Sequence, residues 1–217
     1  MASEEMPTIL HDYWRSSSAY RVRIGLHVAG IPFQSRPVNL LQGEQLAPEY
    51  ICLNPQGFVP TLQIDGLVLT QSLAILEYLH ETKRGYFFPE DAAGKARVRA
   101  LSYAIAMDLH PICNLSVAKH AIEASGGTIS MQSWMSHFIL GGLAAFEAML
   151  DSDVTGKFCQ GDELSIADIC LLPQAYNARR WNVDISAFPR ISRILSSLEQ
   201  IPTITAAHPE RYQSPEK

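Results

Sequence analysis

Thr61-Leu62-Gln63-Ile64-Asp65-Gly66-Leu67-Val68-Leu69-Thr70-Gln71-Ser72-Leu73-Ala74-Ile75-Leu76-Glu77-Tyr78-Leu79-His80-Glu81 changes its apolar period midway, and that change decides the fold of the first third of the chain. Short apolar runs over 61–64 and 67–69 flank Asp65-Gly66, a pair suited to a tight turn because both positions need positive φ. From Ser72 to Glu81 the spacing turns helical, with Leu73, Leu76, Tyr78 and Leu79 able to face a core. The stretch therefore predicts two antiparallel strands and a helix.

Toward the N-terminus, the β-branched and aromatic run at 8–14 predicts a strand. Residues 19–29 follow with helical spacing through Val22, Ile24, Leu26 and Val28 until Gly30 stops them. A second strand is expected over 33–39, where Pro37 suits a sheet edge or an irregular end. A polar loop then leads to the hairpin, so the order is βαβ, loop, ββα: one sheet layer with helices. Toward the C-terminus the pattern breaks at Gly85 and Pro89, which marks 83–91 as a linker. Beyond it only helices are expected, over 92–124, 130–150, 166–181 and 189–200, and the polar tail after Pro209 reads as loose. The fold class is α/β plus all-α, with domains at 1–84 and 92–217.

A chain of 217 residues, 47% hydrophobic and 18% charged, has the composition of an ordinary globular protein. Its formal net charge of -5 offers no basic field for nucleic acid or an anionic membrane. The start of the chain, acidic at Glu4 and Glu5, lacks the apolar core of a secretory signal. The apolar stretch 138–150 is too short to span a bilayer and carries Glu147. A soluble, cytoplasmic protein is expected. Cys52, Cys113, Cys159 and Cys170 stand singly, without the paired spacing of zinc or redox sites, so buried reduced thiols and no metal are expected. Hydrolase and nucleotide readings find no Gly-x-Ser-x-Gly elbow, phosphate loop or dinucleotide fingerprint to rest on.

The residues that could carry chemistry each admit a plain structural reading as well. Ser16-Ser17-Ser18, inside Trp14-Arg15-Ser16-Ser17-Ser18-Ala19-Tyr20-Arg21-Val22-Arg23, open a helix, where hydroxyls and backbone N–H groups either cap it or help hold an anion such as a thiolate. Phe58-Val59-Pro60-Thr61 precedes a strand. Its proline is either an ordinary trans residue or a cis one that presents the Val59 N–H and C=O to an extended ligand. Gln71-Ser72 starts the next helix, so Ser72 caps it or receives a carboxylate. His110 and Asn114 flank Pro111, which should kink their helix. Arg179-Arg180 near a helix end suits either a solvated face or carboxylate binding. Ser165-Ile166-Ala167-Asp168 is read as a capping box and nothing more.

Taken together these segments resemble the cytosolic glutathione transferases, and most closely their zeta class. Matching blocks run from 14–23 through Asn54-Pro55-Gln56-Gly57-Phe58-Val59-Pro60-Thr61-Leu62 and Thr70-Gln71-Ser72-Leu73-Ala74-Ile75-Leu76-Glu77-Tyr78-Leu79. They continue in Asp108-Leu109-His110-Pro111, Asn114-Leu115-Ser116, Gly161-Asp162-Glu163-Leu164-Ser165-Ile166-Ala167-Asp168, Pro173-Gln174 and Asn177-Ala178-Arg179-Arg180. The resemblance implies a thioredoxin-like N-terminal domain that binds glutathione, an all-helical C-terminal domain that supplies the second substrate's pocket, and a homodimer. It implies that Ser17 stabilises the glutathione thiolate, helped by Ser16 and Ser18, and that Val59 before a cis-Pro60 pairs with the tripeptide backbone. Gln71 and Ser72 would hold the γ-glutamyl end and Gln45 the glycine end. Arg21, His110, Asn114, Leu115 and Ser116 complete the implied cofactor-binding set. The class commonly has a cysteine after its two serines, and here Ser18 stands in that place.

The implied activity is glutathione-dependent cis–trans isomerisation of a small dicarboxylic alkene, maleylacetoacetate or maleylpyruvate, by reversible thiolate addition. Conjugation or dehalogenation of small electrophiles is the alternative. Arg15 and Arg180 are the residues expected to bind the substrate's carboxylates and to steady the charge formed on addition.

Overall fold

The computed structural model describes residues 7–82 and 84–213; Glu4, Glu5, Lys83 at the start of the expected linker, and the last four residues of the tail lie outside the described residues. The chain divides into two compact units, one running to Phe87 and resuming at Ile201, the other covering Phe88–Gln200.

In the first unit the elements are β1 (Ile9–Asp12), α1 (Ser17–Val28), β2 (Gln34–Pro37), a 3-10 turn (Glu44–Leu46), α2 (Pro48–Ile51), β3 (Thr61–Ile64), β4 (Leu67–Thr70) and α3 (Ser72–Glu81). The sheet order is β2-β1-β3-β4, with β1 parallel to β2 and antiparallel to β3. The β3–β4 hairpin pairs Ile64 with Leu67 and turns on Asp65 and Gly66 at φ 54° and 77°, the positive pair that the sequence required. β2 is an edge strand exposed along all four residues, which is where Pro37 is tolerated. The loop after β2 is more ordered than its polar composition suggested. It contains the 3-10 turn and α2, and Pro48 occupies the first turn of that helix, where its missing N–H costs nothing.

Helix α1 is buried on nearly every side from Ala19 to Leu26. A Cβ on Gly25 would stand 2.3 Å from Leu76 Cδ2, so glycine is what lets α1 and α3 approach this closely. Arg23, in the middle of α1, is fully buried. Its Nη1 donates to both Asp12 oxygens at 2.8 and 2.6 Å, and its Nη2 donates to the Trp14 carbonyl at 3.0 Å. A buried guanidinium is tolerable only when paired and hydrogen-bonded in this way.

The second unit is helical: α4 (Ala92–Tyr103), a π-helical stretch (Ala104–Leu109), α5 (His110–Ile112), α6 (Leu115–Ala124), α7 (Met131–Met149), α8 (Ile166–Arg180) and α9 (Pro189–Leu198). The expected single run over 92–124 is divided into these shorter pieces. Pro111 lacks the N–H that would continue an α-helical ladder, and the widened π turn precedes it directly. Leu109 packs where a Cβ on Gly142 of α7 would come within 2.8 Å of it, and Trp134 Nε1 donates to the Ile112 carbonyl at 3.0 Å. The capping box at α8 is present: Ser165 N–H and Oγ donate to Asp168 Oδ2 at 2.9 and 2.7 Å, and the Cys159 N–H donates to Oδ1 at 2.8 Å. Among the described residues no helix is long and apolar enough to cross a membrane.

The C-terminal segment departs from its expected place. α10 (Pro202–Ala206) and the residues after it belong to the first unit, whereas the sequence assigned them to the helical domain. Arg23 Nε donates to the Ala207 carbonyl at 3.2 Å. Tyr212 stacks on Phe33 with ring centroids 6.2 Å apart, and its hydroxyl lies 2.6 Å from His27 Nε2. The described part of the tail is thus fastened by aromatic contacts that polar composition conceals. Among the cysteines, Cys113, Cys159 and Cys170 are buried as expected, but Cys52 is exposed at the end of α2.

Candidate active site

The N-terminus of α1 is built by Ser16, whose extended backbone makes it the N-cap and whose Oγ accepts the Ala19 N–H at 3.2 Å. Ser18 Oγ lies 3.0 Å from Ser16 Oγ and donates to the Val59 carbonyl at 3.1 Å. Ser17 is buried at 7% exposure, and its hydroxyl has no hydrogen-bond partner among the described residues. The capping reading therefore holds for Ser16, while the Ser17 hydroxyl is left over at the positive end of a 12-residue helix.

The peptide bond between Val59 and Pro60 is cis. The Val59 N–H has no partner among the described residues. The carbonyl before it, of Phe58, is held twice, by the Tyr50 hydroxyl at 2.6 Å and by Asn54 Nδ2 at 2.8 Å. Burial raises the Tyr50 hydroxyl above its ordinary pKa, so it remains a donor at neutral pH. Tyr50 and Asn54 shape the loop that carries Val59; the sequence singled out neither for a role, Asn54 entering only as the first residue of a matching block. Asn54-Pro55-Gln56-Gly57 marks a turn, but nothing in it says which carbonyl the asparagine will reach.

Gln71 and Ser72 lie at the start of α3. Gln71 has φ 66°, a conformation uncommon for a side-chain-bearing residue and often retained at ligand sites. Its Nε2 donates to Gln56 Oε1 at 2.8 Å. Ser72 is buried and accepts a hydrogen bond from Arg21 Nη1 at 3.3 Å. Arg21 is itself 1% exposed, so in this arrangement it stands behind Ser72. Gln45 sits in the 3-10 turn with its Oε1 buried and without a partner among the described residues. Gly57, at φ 65°, lets the loop lie against that turn, since a Cβ there would come within 3.3 Å of the Gln45 carbonyl. The Arg15 guanidinium lies over the Trp14 ring at 4.3 Å from its centroid.

In the helical unit, His110 begins α5 directly after the π turn. Asn114 is the N-cap of α6, and its Oδ1 accepts from the Ser116 N–H at 3.0 Å and the Ser116 Oγ at 2.9 Å. Leu115 is 40% exposed. At the end of α8, Arg179 pairs with Glu199 at 2.8 Å, and Arg180 is the last residue of the helix. The thiols of this unit are poor candidates for chemistry. Burial pushes Cys113 up to about 11 and Cys159 well above its ordinary value, so both stay protonated at neutral pH.

Residues 6–81 match the family model for the glutathione S-transferase N-terminal domain. The chain is 52% identical over 213 residues to the maleylacetoacetate isomerase of Rhizobium meliloti (strain 1021), covering 97% of this chain and 99% of that one. Its fold is similar to a solved zeta-class bacterial maleyl pyruvate isomerase in its holo form, with a TM-score of 0.88, 34% identity, and 93% and 96% of the two chains covered. It is equally similar, at TM-score 0.88 and 36% identity over 94% and 97% of the chains, to the maleylacetoacetate isomerase of Methylobacterium extorquens AM1 solved with bound malonate and glutathione. The chain belongs to the zeta class of the glutathione S-transferases. The α/β plus all-α architecture, the thioredoxin-like sheet and the helical unit of this zeta-class transferase are those its sequence implied.

The groups in the first unit fit glutathione. An unpartnered Val59 N–H suits a peptide carbonyl, the buried Gln45 oxygen suits a peptide N–H, and the Ser17 hydroxyl suits a thiolate.

Proposed function

We propose that this zeta-class transferase isomerises maleylacetoacetate to its trans isomer, fumarylacetoacetate, with glutathione as a cofactor returned unchanged. The observation that carries the reading is the uncommitted Ser17 hydroxyl at the first turn of α1, beside two serines whose hydroxyls are already engaged. A hydrogen-bond donor and a helix N-terminus both favour a thiolate over a thiol, and so raise its reactive fraction at neutral pH. Glutathione held there by Val59, Gln71, Ser72 and Gln45 would supply that thiolate for reversible addition to the cis double bond, whose trans form would be restored as the C–S bond breaks.

The chain's own residues hold the reactants. Val59 aligns the tripeptide backbone, Gln71 and Ser72 receive its γ-glutamyl end, and Gln45 its glycine end. Arg21 fixes the Ser72 hydroxyl from behind. Arg15 and Arg180 bind the substrate's carboxylates and steady the negative charge formed on addition, a task suited to the guanidinium fork. His110 and the turn Asn114, Leu115 and Ser116 contribute further contacts from the helical unit. The exposed apolar side chains Phe58, Leu67 and Val68 support a homodimer, and the same reading assigns the enzyme to the cytoplasm and to tyrosine breakdown.

The likeness to a maleyl pyruvate isomerase favours maleylpyruvate as the second reading. The test is the loss of the cis-diene absorbance of each substrate, with and without glutathione, on purified protein. A glutathione-dependent rate on maleylacetoacetate well above that on maleylpyruvate supports the proposal, and the reverse order replaces the substrate. No rate on either would leave conjugation or dehalogenation of small electrophiles as the activity of the same thiolate.

A further inference from the structure

We infer that Ser18 is a positioning residue, whose hydroxyl tethers the Val59 carbonyl to the N-terminus of α1 and thereby sets how tightly glutathione is held rather than how readily its thiol ionises. The inference rests on the glutathione site proposed above. A hydroxyl has one proton to give. Ser18 gives its proton to Val59, 41 positions further along the chain, so the 3.0 Å contact between Ser16 and Ser18 must carry the proton of Ser16. The Ser16 oxygen in turn accepts from Ala19 N–H. The result is a directed chain: Ala19 N–H to Ser16, Ser16 to Ser18, Ser18 to the Val59 carbonyl. Both outer serines are spent in it, which separates their work from that of Ser17.

The tether matters because of what surrounds Val59. The residue is 7% exposed, and its N–H has no partner among the described residues. The preceding carbonyl is anchored by Tyr50 and Asn54 from the α2 side of the loop. Ser18 therefore anchors the loop from α1 at the Val59–Pro60 peptide, directly after the Phe58–Val59 peptide whose N–H is offered to the ligand's backbone. An aligned peptide group pre-organised before binding strengthens association without touching the reacting sulfur.

The test compares the parent protein with Ser18→Ala, Ser18→Thr and Ser17→Ala in three measurements: calorimetric glutathione affinity, the pH titration of the bound thiol by its ultraviolet thiolate absorbance, and amide hydrogen exchange at Val59 without ligand. Ser18→Ala should weaken glutathione binding about three- to ten-fold, the range for one neutral hydrogen bond, and speed exchange at Val59. It should leave the thiol titration where the parent has it. Ser18→Thr, which keeps the hydroxyl, should bind within about two-fold of the parent, below that range. Ser17→Ala should move the titration upward. Unchanged affinity and exchange in Ser18→Ala would overturn the tether, and so would a titration shift matching that of Ser17→Ala, because Ser18 would then be a thiolate donor. Exchange is read without ligand, so a parent protein that binds no glutathione contradicts the functional reading on separate grounds.

Discussion

Asp12 and Arg23 form an ion pair at 2.6 Å whose side chains are 2% and 0% exposed, and its value is asymmetric. The pair breaks even only while both members are present, because either one alone is an uncompensated buried charge. Asp12→Ala should therefore cost about 3–5 kcal/mol in urea unfolding, although it touches no ligand. A cost below about 1 kcal/mol, the level of an exposed pair, would mean that water reaches Arg23. Arg180→Ala belongs to the same scale but to function. If Arg180 binds a substrate carboxylate, the KM for the dicarboxylic substrate should rise by roughly 1.5–3 kcal/mol with the fold intact. A KM equal to that of the parent would remove it from the site, leaving Arg15 as the carboxylate ligand.

At the scale of elements, the legible parts were those whose cause is local. Asp65-Gly66 announced its hairpin because the required backbone angles belong to the two residues themselves. Ser165 and Asp168 announced a cap three residues apart. Ser16 to Ser18, Val59 with Pro60, and Gln71 with Ser72 were found as segments, but their division of labour was not legible. Which serine keeps its hydroxyl depends on Val59, 41 positions further along the chain, and Ser72 meets Arg21 across 51 positions. Tyr50 and Asn54 were hidden for another reason: the Phe58 carbonyl they hold is only eight and four positions away, but it is met through an irregular loop whose composition does not say which carbonyl is reached. Pro111 signalled a break but not the π turn before it, where Leu109 lies against Gly142 of α7, 33 positions away. The C-terminal segment was misplaced because Tyr212 meets Phe33 and His27 far away in sequence. Tyr212→Ala removes a ring stack and a hydrogen bond and should lower stability by about 2 kcal/mol in thermal unfolding. An unchanged melting temperature would show that α10 alone fastens this segment.

For the whole molecule, pH acts through histidines in the first unit. Burial lowers His11, assisted by the positive charge of Arg36, and burial lowers His27, assisted by Arg23. Both therefore bind a proton less readily folded than unfolded. Their contribution to stability is complete above the unfolded histidine value of about 6.5 and is lost as pH falls below it. The melting temperature should drop between about pH 7 and pH 5, and replacing His11 and His27 together by glutamine should flatten that drop. A slope unchanged in the double variant would place the titration elsewhere.

The central claim is that the molecule uses glutathione without consuming it. The most direct measurement supplies purified protein with a large excess of maleylacetoacetate over glutathione and follows substrate, trans product and free glutathione together. The account predicts complete conversion to the trans isomer with all of the glutathione recovered, and loss of most of that rate in Ser17→Ala. Conversion that stops when glutathione is exhausted, with a glutathione adduct as the product, would contradict it.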